Sequence, residues 1–93
     1  MSLVVKRKGK KEKFDERKVY ASVYAACMDC AIGEKKSETI AEGICKQINE
    51  QLLKGRKEIN STEIFGFVLL KLAKEHEAVA FMYETHREVV INN

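Results

Sequence analysis

Apolar side chains recur at helical spacing through most of this chain, and the pattern lapses at the start and again near residues 55–60. At the start, Val4-Val5-Lys6-Arg7 is a short β-branched run ending in charge. Lys8-Gly9 follows, and Lys10 to Phe14 returns. This predicts two short strands joined by a tight turn, with glycine supplying the positive φ that such a turn demands. Two strands alone are marginal in water, so the hairpin must lean on apolar surface elsewhere.

Helix one is expected from Asp15, a good N-cap, with Phe14 before it placed to staple onto Val19. Val19, Val23, Ala26, Cys27 and Cys30 line one face, and Gly33 sits where a left-handed C-terminal residue is wanted. Helix two is expected from about Ser37 to Lys54. Its stripe is Ile40, Ile44, Ile48 and Leu52, widened by Ala41 and Cys45, and Gly55 stops it. Arg56 to Ile59 reads as extended and would add a third strand. Asn60-Ser61-Thr62-Glu63 is a capping-box pattern with Ile59 set to staple onto Ile64. Helix three then runs through Phe67, Val68, Leu70 and Leu72 to about Glu75. A fourth stretch, about Glu77 to Val90, carries Val79, Ala80, Met82 and Tyr83. The expected fold is mainly α with a small β cap: a four-helix bundle covered by an N-terminal β-hairpin or three-stranded sheet. Residues 1–93 form one domain, with the hairpin over about 3–14 and the bundle over about 15–90.

Composition narrows the function classes. Hydrophobic residues make up 45% and charged residues 33%, which excludes a disordered chain. No apolar run approaches the roughly 20 residues of a membrane span. The opening Met1 to Arg7 reverses the charge order of a signal peptide, so a cytoplasmic setting and no membrane partner are expected. Three cysteines are too few for a disulfide scaffold. Cys27-Met28-Asp29-Cys30 has C-x-x-C form but falls near the end of a predicted helix, away from the dipole end that lowers a thiol pKa. With no second pair to complete a zinc site, a core role is expected for these thiols. His76 and His86, ten apart among glutamates, read as solvated helix-surface residues. No G-x-x-x-x-G-K-[ST] loop and no carboxylate cluster suited to catalytic magnesium occur, so no enzyme is expected.

Charge is the most informative property. Residues 1–18 hold eight basic side chains against three acidic ones, whereas the rest of the chain holds nine basic and eleven acidic. A basic end on a mildly acidic body points to an anionic partner. Unpaired N–H groups and the positive dipole end make a helix start an anion site, yet the first turn here carries Arg17 and Lys18. Lys18 stands where a capping box would want Glu. A bound phosphate chain would relieve this repulsion, and Lys6 and Arg7 can approach from the hairpin. Equally, these are charges that keep an exposed edge strand from aggregating. A small basic nucleic-acid binder is the rival reading, although only Phe14 and Tyr20 lie near the patch as stacking groups.

The run from Val4 to Val19 resembles the opening motif of the ATP-cone domain, found at the N-terminus of many ribonucleotide reductases and in a bacterial repressor of reductase genes. The resemblance continues through Glu58-Ile59-Asn60-Ser61-Thr62-Glu63-Ile64 and covers nearly the whole chain. It implies a regulatory sensor for ATP or dATP, with magnesium carried by the nucleotide. Val4, Phe14 and Val19 would form the adenine slot, and Glu12 and Asp15 would read the polar edge of the base or the ribose. Lys6, Arg7 and Lys18 would neutralise the phosphates, and the Ser61 hydroxyl would add a phosphate contact. The family's output is oligomer switching, so a homo-oligomer or an unidentified regulated protein is the implied partner. Two departures stand out: Phe65 stands where some reductase versions have a histidine, and only His86 or Arg87 offers a basic contact from the last helix.

Overall fold

The computed structural model describes residues 2–91, apart from the side chains of Arg7 and residues 87–91. Strands β1 (Leu3–Val5) and β2 (Lys11–Lys13) precede helices α1 (Glu16–Asp29) and α2 (Glu34–Gln47). A π-helical segment, Ile48–Leu53, extends α2 and leads to β3 (Glu58–Asn60), α3 (Ser61–Glu75) and α4 (Glu77–Ile91). The expected architecture, four helices under a three-stranded cap, is what the chain adopts.

β1 is the central strand, antiparallel to β2 and parallel to β3. Val4 pairs with Glu12 on one side and Ile59 on the other, so all three side chains share one sheet face. That face covers the bundle, and Val4 and Ile59 are buried there. The amide of Leu3 donates to the Lys57 carbonyl at 2.8 Å, and the Ser2 hydroxyl donates to the Arg56 carbonyl at 2.8 Å. Both bonds pin the cap to the segment leading into β3.

α1 is the middle helix, packed on α2 and α4, while α3 packs on α4 and on the π segment. Val23, Ala26 and Cys27 from α1 meet Ala41, Ile44, Ile48, Val68, Leu72 and Val79 in one continuous core. Each fully buried aliphatic side chain contributes about 1.5–3 kcal/mol relative to exposure. Cys27 and Cys45 belong to this core, and burial raises both thiols, Cys45 to about 11. Cys30 is half-buried, and all three cysteines are free. The core role expected for the thiols holds for Cys27 and Cys45.

The helix boundaries differ in three places. Ala31, not Gly33, takes the left-handed conformation after α1, at φ 56°. Gly33 also has positive φ, 95°, but as the residue preceding α2. α2 therefore begins at Glu34, and Ser37 is fully buried within its first turns, its hydroxyl 3.6 Å from Met28 Sδ. A small side chain is needed there because α1 passes close by. Finally, the π segment adds a residue to the turn, so Leu53 rather than Leu52 follows Ile48 into the core.

Candidate functional site

The cap closes through a turn in which Lys8 and Gly9 both have positive φ, 69° and 76°. The Lys6 amide donates to the Lys10 carbonyl at 2.8 Å, and the Gly9 amide donates to the Lys6 carbonyl at 3.1 Å. This folds the basic run back on itself. The consequence is a cluster built around one carboxylate. Glu12 lies 3.0 Å from Lys6 Nζ, 3.6 Å from Lys18 Nζ and 3.8 Å from Lys10 Nζ. Its side chain is 29% exposed, less than that of any of the three lysines around it. The Lys6 ammonium bonded to Glu12 holds its carboxyl below the ordinary value of 4.5 against the opposing effect of burial, and the charges of Lys6, Lys18 and Lys10 assist.

Lys18 reaches this cluster from the third residue of α1, so the cluster borders the positive end of that helix. Asp15 caps the helix, accepting from the Arg17 amide at 3.0 Å and from the Arg17 guanidinium at 3.2 and 3.3 Å. Those Arg17 bonds, first from the guanidinium and then from the amide, lower its carboxyl. Phe14 and Val19 flank the cap and are half-buried against the core. Phe14 also borders a recess of about 300 Å³ with Ser2, Asn49, Leu53 and Lys54. Ser61 is the half-buried first residue of α3, and its predecessor Asn60 pairs with Val5. Parallel pairing thus makes Lys6 and Ser61 leave the sheet at the same end.

Lys6, Glu12 and Lys18 are therefore brought together, beside Val4, which shares the inner face with Glu12. The Asp15 carboxylate is engaged with Arg17 as a helix cap, while its carbonyl accepts from the Lys18 amide at 3.1 Å. The Arg7 side chain lies outside the described residues. The approach of Lys10 to Glu12 depends on the two left-handed residues of the turn.

Elsewhere, Arg56 and Glu63 form a two-bond ion pair at 2.9 and 3.1 Å, and Glu63 also accepts from the Asn60 amide at 3.4 Å in the capping box of α3. Phe65 stacks on Tyr83 with ring centroids 5.5 Å apart. His86 is exposed and His76 half-exposed at helix surfaces, as expected, and each also makes a bond. His76 closes α3, its amide donating to the Leu72 carbonyl at 2.6 Å, and His86 pairs with the Asp29 carboxylate across α4 and α1. The Arg87 side chain lies outside the described residues. Among those residues, no group of three His, Cys, Asp or Glu is arranged to hold a metal, and no helix is long and apolar enough to cross a membrane.

The profile of the ATP cone domain matches residues 2–89. This chain belongs to the ATP cone domain family. Domains of that family are regulatory and bind ATP or dATP. Among curated relatives, the transcriptional repressor NrdR of Carboxydothermus hydrogenoformans is 33% identical over 94% of this chain and 57% of its own length. The NrdR repressor of Dictyoglomus thermophilum is 38% identical over 86% of this chain and 51% of its own. That of Rippkaea orientalis is 34% identical over 85% and 42%. The chain thus spans about half the length of the curated relatives it matches.

Proposed function

We propose that this ATP cone binds ATP or dATP between the β cap and the start of α1 and acts as a regulatory sensor without catalysis of its own. The observation that carries the reading is the convergence of Lys6, Lys10 and Lys18 on one point beside the positive end of α1. Three ammonium groups and a helix dipole suit a polyphosphate, which offers several charge-assisted acceptors at once. Val4, Phe14 and Val19 supply apolar walls for a flat base. Lys6, Arg7 and Lys18 take the phosphates with the Ser61 hydroxyl, while Glu12 and Asp15 read the base edge or the ribose. Magnesium arrives with the nucleotide. Residues 1–93 act as one module in a cytoplasmic setting. Its output is self-association or a change in a regulated partner, consistent with relatives that are transcriptional repressors.

A second reading, contact with nucleic acid through Lys8, Lys10 and Lys13, is favoured by the exposure of those side chains and by the description of the relatives. Calorimetric titration with ATP, dATP, ADP and GTP separates the two. Micromolar adenine-nucleotide affinity, about −7 to −8 kcal/mol, is expected. Lys6→Ala/Arg7→Ala should remove most of it, because each charge-assisted phosphate contact contributes roughly 1.5–3 kcal/mol. Unchanged ATP affinity in the folded double variant, or duplex binding with steep salt dependence and no response to ATP, would overturn the first reading.

A further inference from the structure

Among the described residues, Glu12 is the one acidic group inside the lysine cluster, and it is more enclosed than the lysines that meet it. Its partners are three of the cations that a polyphosphate would need. In the ligand-free protein a carboxylate therefore occupies the position toward which the ammonium groups point. The remaining acids of the cap are engaged elsewhere: Asp15 with Arg17 and the start of α1, and Glu58 with Lys11 at 2.7 Å.

We propose that Glu12 is a built-in stand-in for phosphate, a positioning residue that pre-gathers Lys6, Lys10 and Lys18 and is displaced when a polyphosphate arrives. Two consequences follow for the site proposed above, on which this inference rests. The lysines are already oriented, so less side-chain freedom is lost on binding. An anion must also compete with an internal carboxylate, so a ligand with a single weak charge gains little and several phosphates are needed to displace it. Once freed, the Glu12 carboxylate becomes available to accept from the amino group of a bound base. The same residue then links phosphate number to base recognition.

Inorganic tripolyphosphate tests this without base or ribose. Wild-type protein, Glu12→Gln and Glu58→Gln are titrated at fixed salt. Glu12→Gln should bind tripolyphosphate roughly three- to tenfold more tightly, the size expected when a few partly exposed ion pairs no longer compete. Glu58→Gln makes the same change in net charge on the same sheet and should gain less than twofold. In Glu12→Gln/Lys18→Gln the gain should shrink. Equal or weaker binding by Glu12→Gln, or an equal gain in Glu58→Gln, would overturn the proposal. Thermal melting verifies that each variant is folded, and Glu12→Ala replaces Glu12→Gln if the latter is not. The nucleotide reading fails separately, by wild-type protein that binds tripolyphosphate and not ATP.

Discussion

Val5 pairs with Asn60 in the parallel ladder between β1 and β3. The residue after each partner, Lys6 and Ser61, thereby leaves the sheet at the same end although 55 positions separate them in sequence. A hairpin alone would leave Lys6 on a free edge. The third strand turns that edge into a seam between the cap and the start of α3, where the Asn60–Glu63 capping box fixes the exit of the chain. The N-terminal lysines are thus tied to the bundle through the sheet as well as through Glu12.

Base and phosphate recognition should separate by mutation. Phe14→Ala is expected to weaken ATP binding and to lower stability together, by about 1–3 kcal/mol for a half-buried ring, because Phe14 packs on the core beside the site. Lys18→Glu should lower ATP affinity while leaving the melting temperature nearly level. The acid gains from the helix dipole, roughly 0.3–1 kcal/mol, and loses by facing Glu12. Marked destabilisation by Lys18→Glu would make Lys18 structural.

The π segment makes a sharp prediction about packing. Leu53 is 8% exposed, whereas Leu52 is half-buried, so Leu53→Ala should cost about 2–4 kcal/mol in chemical denaturation and Leu52→Ala clearly less. A regular α-helix through residues 48–53 would give the reverse order.

Acid should destabilise the cap through identifiable groups. Glu12, Asp15 and Glu63 are each lowered in the folded protein, chiefly by bonds from Lys6, Arg17 and Arg56 respectively. A carboxyl depressed by folding adds stability above its unfolded value, near 4.5 for Glu and 3.8 for Asp, and that stability is lost as pH falls through the folded value. Melting temperature should be level from neutral pH to about 5 and drop below about 4.5. A profile that stays flat to pH 3 would contradict these pairings.

The expected output is assembly. Phosphates that neutralise the basic cap allow two caps to approach, and coupling of about 1–3 kcal/mol moves a weak dimer visibly at micromolar concentration. Sedimentation velocity with and without ATP and dATP should show a nucleotide-dependent change. A concentration-independent monomer in every condition would leave a separate partner as the output.

Much of this was legible in the sequence because local chemistry and tertiary structure agree there. The Asp15 and Asn60 caps, the Lys8-Gly9 turn and the apolar stripe of α3 all act over a few residues. The misses are tertiary. Ser37 looked like a helix start because serine caps helices, but the close approach of α1 wants a small buried side chain at that point. Leu52 fits an α-helical ladder that the π segment breaks, and the composition of residues 48–53 carries no sign of it. His86 is the exposed residue its surroundings suggest, but its pairing with Asp29, 57 residues away, is not visible in the sequence. The family resemblance assigns Glu12 to the base edge or the ribose, but the sequence does not reveal that Lys6, Lys10 and Lys18 converge on it.

The central claim is that ATP binds at the cap, and backbone amide chemical-shift mapping tests it most directly. Titrating ATP into labelled protein should perturb the amides of Val4, Lys6, Glu12, Lys18, Val19 and Ser61 first and most strongly, with small shifts along the outer faces of α3 and α4. Perturbations centred instead on the groove between α1 and α2, at Glu42, Lys46 and Glu50, or none at millimolar ATP, would contradict it.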